Sequence, residues 1–336
     1  MPADGTGGLT WRPLTTDDVP AWAEVVTAIE SVDQPAERLT ADDLLDELVK
    51  GSWKDPVRDS LVGLDPGGVP RAFGLVATRP GDLRVIRAHC FGGVHPQWRR
   101  RGAGTAVLTW QHHRALEKIA AARSGHPDGD SVPGRVMAFA DEQLTDRAKL
   151  FERCGFASVR WYVDMVRPLT VAGAAPVPEA TLGDGLRVAP FEPGLDEAVR
   201  LAHNESFAGH WGSEPRSAED WRLWTTGQRD FRPEWSFVVL DADDVAGYAL
   251  SGAYPQDWAA QGYTQGWTDL LGVRPAWRRR GIAAALLGAT MRAFARDGME
   301  YAGLGVDSEN ASGALGVYER MGYVQDRRQV AFAIDV

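Results

Sequence analysis

The residues best placed to do chemistry sit in one stretch, Val273-Arg274-Pro275-Ala276-Trp277-Arg278-Arg279-Arg280-Gly281-Ile282-Ala283-Ala284. An apolar, strand-like segment precedes it and a helix-like one follows. A turn that feeds a helix leaves the first backbone N–H groups unpaired at the positive end of the helix dipole, which makes an anion site suited to phosphate. Gly281 lets the main chain come close to a bulky phosphate, and Ala283 keeps the next position small. Arg278, Arg279 and Arg280 can add charge-assisted bonds to its oxygens. The stretch recurs, position for position, as Val94-His95-Pro96-Gln97-Trp98-Arg99-Arg100-Arg101-Gly102-Ala103-Gly104-Thr105, and Gly102 and Gly281 stand 179 residues apart. So long a period marks a duplicated domain, not a solenoid. Neither copy ends in the Gly-Lys-Ser/Thr of a Walker loop, which sets a phosphate-loop kinase aside, and neither has the three early glycines of a dinucleotide site.

A second constellation follows each turn. Val306-Asp307-Ser308-Glu309-Asn310 leads into Leu315-Gly316-Val317-Tyr318-Glu319-Arg320-Met321-Gly322-Tyr323. Asn310 and Tyr318 are about two helical turns apart and share a helix face. In the first copy Gln143 and Phe151 occupy these places, in Leu150-Phe151-Glu152-Arg153-Cys154-Gly155-Phe156. Phenylalanine cannot donate a proton.

Together the two stretches resemble motifs A and B of the GNAT acetyltransferase superfamily, and the resemblance covers nearly the whole chain. It implies an α/β fold built on a mixed α+β sheet, in two tandem acyl-CoA N-acyltransferase domains. It implies acetyl-coenzyme A as cosubstrate, with its pyrophosphate in the arginine turn, and direct transfer in a ternary complex to a primary amine of a small molecule, without an acyl-enzyme. Cofactor contacts are expected from Leu271, Gly272, Val273, Arg278 to Arg280, Gly281, Ile282, Ala283, Ala284 and Asn310. The first copy offers Gly92, Val94, Arg99, Arg100, Arg101, Gly102, Ala103, Gly104 and Thr105. Tyr318 is expected to protonate the departing sulfur; its other reading is a packed aromatic with a bonded hydroxyl. The double arrangement with a weakened first copy resembles the mycothiol synthase family, as do Phe207-Ala208-Gly209-His210 and Leu271-Gly272-Val273.

The elements that position these residues follow from the pattern. Strand alternation puts Val273, Leu271, Asp269 and Trp267 on one face of a central strand. Family members that place a base on this strand have it where Trp267 stands. Asp269 can take the amine proton, hold a cationic acceptor, or serve as a structural carboxylate. Asn204 to Gly212 lies where the family builds its acceptor wall, with Glu205, His210 and Trp211 as candidate contacts, each also readable as an ordinary loop or cap residue. The first copy either binds coenzyme A without transferring its acyl group or only buttresses the second. A non-catalytic coenzyme A-binding or interaction protein is the competing class, and Tyr318 with Asn310 argues against it.

The order β-α-α-β-β-β-α-β-α-β reads twice. The domains are expected at 1–168 and 186–336, joined by a Pro-, Ala- and Gly-rich linker at 169–185. Trp161 to Val166 reads as the strand closing the first domain and Gln329 to Ile334 as the strand closing the second. Length and a 44% hydrophobic share support two ordinary cores. The net charge of −10 argues against nucleic-acid binding and suits a cationic acceptor. No apolar run approaches a membrane span, the start has no signal core, and Cys90 and Cys154 are the only cysteines. A cytoplasmic protein, monomer or homodimer, is expected. His112-His113 is wrongly spaced for a metal on one helix face, and no metal is expected.

Overall fold

The computed structural model describes residues 1–309 and 313–336 and divides the chain into two compact units. The first holds Met1–Arg160 together with Gln329–Val336, and the second holds Trp161–Arg328. In chain order the first runs β1 (Thr10–Arg12), α1 (Val19–Asp33), α2 (Ala41–Val49), α3 (Pro56–Asp59), β2 (Ser60–Leu64), β3 (Pro70–Ala77), β4 (Ile86–Val94), α4 (Ala103–Ser124), β5 (Gly134–Asp141), α5 (Thr145–Arg153) and the start of β6 (Ala157–Pro168). The second continues with β7 (Leu186–Pro190), α6 (Asp196–Ser206), α7 (Ala218–Trp221), β8 (Phe237–Asp241), β9 (Asp244–Ala253), α8 (Pro255–Gln261), β10 (Gln265–Val273), α9 (Ile282–Arg296), β11 (Tyr301–Asp307), α10 (Ala314–Arg320) and β12 (Val324–Asp335). Short helices α3 and α8 are additions to the expected order.

Local chemistry sets the boundaries. Thr40 caps α2 by accepting from Asp43 N while the Asp43 carboxylate accepts from Thr40 N, a reciprocal pair that satisfies two orphan donors. Gly281 and Gly102 open α9 and α4 with left-handed φ of 79° and 89°. Apolar positions then decide the faces. Ile282 and Leu286 of α9 pack on Val239 and Ala249 on one side of the second unit's sheet. Val199 of α6 and Trp221 of α7 pack on Val238, Tyr248 and Leu250 on the other side. In the first unit, Trp22, Val25, Val26 and Ile29 of α1 pack on Phe73 and Leu75.

The sheet orders are β1-β2-β3-β4-β5-β12 in the first unit and β6-β11-β10-β9-β8-β7 in the second. Each has one parallel pair, β4 with β5 and β10 with β11, and is otherwise antiparallel. The closing strands are exchanged relative to the sequence reading. Tyr162–Pro168 pairs with β11 of the second unit, and Gln329–Asp335 pairs with β5 of the first. Both closing strands are apolar alternating segments, so either suits either place locally; the topology decides.

In each unit the parallel pair separates. The β10–β11 ladder stops at Thr268↔Leu304, although β10 runs on to Val273 and β11 to Asp307. The β4–β5 ladder stops at His89↔Met137, with β4 continuing to Val94 and β5 to Asp141. Each fork opens beside the helix that leaves the arginine turn. Among the described residues, no helix is long and apolar enough to cross a membrane.

Candidate active site

The two arginine turns share their backbone. Each passes through a short 3₁₀ turn, Pro96–Trp98 or Pro275–Trp277. Arg100 and Arg279 both adopt φ 63°, and Arg99 and Arg278 both donate from Nε to the last carbonyl of the preceding strand at 3.2 Å. The first helical bonds run from Ala106 N to Gly102 O and from Ala285 N to Gly281 O, each 3.0 Å. The N–H groups of Gly281, Ile282, Ala283 and Ala284, and of Gly102, Ala103, Gly104 and Thr105, therefore lie ahead of any i−4 partner. Both turns present the donors expected of an anion site.

Their arginines differ in what they meet. In the first turn, Arg99 makes a bidentate pair with Asp33 at 2.7 and 2.9 Å, and Arg100 pairs with Asp146. Arg101 stacks on Trp98 with 4.6 Å to the ring centroid. Leu150 of α5 leans over Gly104, 3.2 Å from where a methyl there would sit. In the second turn, Arg278 donates to the main-chain carbonyl of Ser206 at 3.0 Å and meets no carboxylate among the described residues. Arg279 is exposed, with no ion pair among the described residues. Arg280 is held at 3.6 Å by Asp241 and donates to Asp184 O at 2.9 Å. Carboxylates thus pair two of the first turn's three arginines, Arg99 and Arg100, and one of the second's, Arg280.

The segment before β7 reaches this second turn. Gly183 N donates to Arg280 O at 3.2 Å, and the Thr181 carbonyl lies directly against Gly281. A methyl on Gly281 would overlap that carbonyl, whereas one on Gly102 would meet open space. Both residues have positive φ, which alone costs about 1 kcal/mol for alanine. Gly102→Ala is therefore expected to cost about that much, and Gly281→Ala at least twice as much. Thermal melts of the two variants check the difference.

The fork of the second unit holds a feature that strand alternation hides. On β9, Thr268 pairs with Ser251 and Leu270 with Leu250, so Asp269 is an extra, bulged residue. The bulge resets the phase of β10. Leu271 and Val273 pack toward α9 with Ile282 and Leu286, while Leu270 and Gly272 face α6. Trp267 pairs with Gly252, and the Asp269 carboxylate lies 2.8 Å from where a methyl on Gly252 would point. Asp269 thus shares a face with Trp267, as expected, but not with Leu271 and Val273. Tyr254 donates to Asp269 Oδ1 at 2.7 Å, a partner that sequence spacing does not reveal. From Asp269 to Val273 the main chain has β9 on one edge and the open fork on the other. The first unit has no bulge here: Cys90, Phe91, Gly92, Gly93 and Val94 pair in unbroken register with β3.

Tyr318 on α10 is 8% exposed, and its hydroxyl makes no hydrogen bond to a described residue. Burial pushes it up to about 12. Its ring meets that of Tyr323 at 6.3 Å, and the Tyr323 hydroxyl is buried without a partner among the described residues. In the first unit Phe151 and Phe156 take these places and close on Phe332. Asn310 lies outside the described residues. Its counterpart Gln143 donates to Gln34 O at 3.4 Å.

On the α6 side, Glu205 pairs with Arg274 at 2.6 Å, beside the arginine turn. Half-buried His210 lies tilted against Phe207 at 4.6 Å between centroids, and Trp211 is half-buried in the same loop. Beneath them lies a pair the sequence reading passes over. His203 Nδ1 and the Tyr248 hydroxyl are 2.6 Å apart and both buried. Burial holds the imidazole down at about 3 and raises the phenol, so both stay neutral. The matching contact in the first unit is between apolar residues, Val26 and Phe73. Only a buried polar residue on a helix's apolar stripe could have signalled it.

A family model for the acetyltransferase (GNAT) family matches residues 197–323. The mycothiol acetyltransferase of Geodermatophilus obscurus is 31% identical over 241 residues, 71% of each chain. That of Streptomyces coelicolor is 29% identical over 82% of this chain and 79% of its own. A GCN5-related N-acetyltransferase from Sphaerobacter thermophilus superposes with a TM-score of 0.74 at 24% identity, covering 100% of this chain and 97% of that one. A tandem GNAT protein of the clavulanic acid biosynthesis pathway superposes at 0.69 and 16% identity, over 97% and 98%.

Proposed function

The chain belongs to the GNAT acetyltransferase family, and we propose that it moves an acetyl group from acetyl-coenzyme A to a primary amine of a small molecule, with the chemistry in the second unit. One contrast carries this reading: the second unit combines a bulged strand with Tyr318, whose hydroxyl bonds to no described residue, whereas the first has an unbroken register and Phe151.

The pyrophosphate lies on the N–H groups of Gly281 to Ala284, with Arg278 and Arg279 supplying charge. The thioester enters the fork along Leu271, Gly272 and Val273. A main-chain N–H on the open edge of β10 polarises its carbonyl and stabilises the oxyanion as the amine nitrogen attacks. The new C–N bond forms, the C–S bond breaks, and Tyr318 gives its proton to the sulfur. The amine's proton leaves to Asp269, directly or through water. Tyr254 orients that carboxylate from the acceptor side. His210 and Trp211 wall the acceptor. Glu205, bound to Arg274, fixes the wall to the end of β10. Holding both reactants together supplies most of the acceleration, so no covalent intermediate is needed.

Release of free thiol from acetyl-coenzyme A over a panel of amines tests the reading. Asp269→Asn is expected to lower kcat/KM about 10- to 100-fold if the carboxylate takes the proton, with the loss shrinking at high pH, where the amine is already neutral. A loss that stays constant with pH assigns Asp269 to holding the acceptor. Acetyl transfer on the mycothiol pathway is the second reading, favoured by identity with the mycothiol acetyltransferases over most of the chain. Trp267, at the strand position where family members place a base, counts against it.

A further inference from the structure

The strand register of the second unit lines up one row of residues across four strands. Asp164 of β6 pairs with Gly305 of β11, Gly303 of β11 pairs with Trp267 of β10, and Trp267 pairs with Gly252 of β9. A methyl on Gly303 would collide with the indole, and one on Gly305 would lie 3.8 Å from Trp267 Cζ2 and 3.6 Å from Asp164 Oδ1. The two glycines let the half-buried indole lie flat along β11, with exposed Gly305 as bare floor beside it. Asp164 stands beside the Cζ2 end of the ring, and Asp269, which accepts from Tyr254, lies over Gly252 on the other side of β10. Gln265 is 8% exposed, and its side-chain amide lies 2.5 Å from the same methyl position on Gly303, with Nε2 making no hydrogen bond to a described residue. An unsatisfied buried amide is costly unless something pairs with it, and turned over it offers a carbonyl acceptor at the indole edge.

The duplicated unit differs on the matching face. Without a bulge, β4 alternates strictly, so Ala88, Cys90 and Gly92 face α4 while His89, in register with Met137, faces the α1 side. There His89 stacks on Phe139 at 6.1 Å between centroids. In the second unit the equivalent face carries Trp267 over two glycines, with Asp164 and Asp269 as neighbours, on the α6 side of the sheet, beside the point where β10 and β11 part.

We propose that the acceptor carries a second positive charge besides the amine that is acetylated, and that this charge sits over Trp267 at its Asp164 end, which leaves Asp269 to the reacting nitrogen. An ammonium over an indole face is attracted by the ring quadrupole, and a carboxylate at the ring edge adds to that attraction. The attacking nitrogen must be neutral, so a carboxylate-lined aromatic floor serves a different nitrogen of the same molecule. The substrate class is a diamine or longer polyamine, in which one nitrogen anchors and the other reaches the thioester.

This inference rests on the acetyltransfer reading, and a pair of probes separates the two. Putrescine and butylamine have the same chain length and differ by the second ammonium. The wild-type protein is expected to show a kcat/KM for putrescine about tenfold or more above that for butylamine. Trp267→Ala and Asp164→Asn are expected to collapse that ratio, and Trp267→Phe to retain part of it. The ratio, unlike an absolute rate, is insensitive to a fraction of misfolded variant. Equal rates for the two amines, or a ratio that survives both substitutions, overturns the proposal. Transfer to neither amine counts against acetyltransfer, and calorimetric titration of both amines onto the wild-type protein then decides. Tighter putrescine, weakened by the same substitutions, supports the second charge; equal binding overturns it.

Discussion

Replacing Tyr318 with phenylalanine is expected to lower kcat for acetyl transfer about 10²-fold while leaving the KM for acetyl-coenzyme A nearly unchanged. The substitution keeps the ring against Tyr323 and removes one oxygen that bonds to no described residue. Folding should therefore be insensitive to it, and a melt that matches wild type makes the kinetic loss attributable to the missing proton. The pH profile adds a second check. Burial raises the phenol to about 12, so the neutral, proton-bearing form persists as pH rises. Tyr318 should then impose no loss of rate until the pH approaches that value, and an alkaline limb near 10 would assign the proton to another group. The reciprocal substitution, Phe151→Tyr, is expected to give no second activity. It restores a hydroxyl, but β4 stays unbulged and Arg99 stays on Asp33. Its thiol-release rate in a Tyr318→Phe background measures this directly.

Removing residues 329–336 is expected to unfold the first unit rather than the second, although these residues end the chain. Gln329–Asp335 forms the edge partner of β5, with Val330 and Phe332 buried at 6% and 3% exposure. Burying those two side chains is worth about 3–6 kcal/mol, before the lost ladder bonds are counted. A domain is stable by only about 5–15 kcal/mol, so little would remain. Proteolysis followed by mass spectrometry should find early cuts within residues 1–160 and late ones within 186–309. Early cuts confined to 186–309 would mean that the exchanged pairing does not carry the first unit. The two units are accordingly not separable by cutting at the linker: a fragment ending at 168 leaves β5 without its edge partner, and one starting at 186 leaves β11 without β6.

That exchange also marks where sequence reading reaches its limit. The turns were legible because phosphate chemistry needs glycine, small residues and arginines at fixed offsets, and because the pattern occurs twice. The difference between the copies was legible as Phe151 against Tyr318, a ring without a hydroxyl against one that has it. Partner choice between two apolar closing strands leaves no local trace, since both satisfy the same alternation. The bulge at Asp269 is equally silent: one extra residue in a period of two changes every later side chain's face without changing composition. Asp269 and Trp267 were legible as candidates, but Tyr254, Asp164 and the glycine floor become neighbours only through four-strand register. The His203–Tyr248 pair needed both a helix phase and a strand phase to be right together.

The stretch that leads into β7 is more than a tether. Thr181 presses its carbonyl on Gly281, Gly183 bonds to Arg280, and Arg280 reaches back to Asp184. Its path therefore sets the height of the helix end on which the cosubstrate is expected to rest. Anyone grafting this half onto another partner, or lengthening the joint with flexible residues, would be retuning cosubstrate affinity from outside the pocket, by loosening the wedge that keeps the cradle seated.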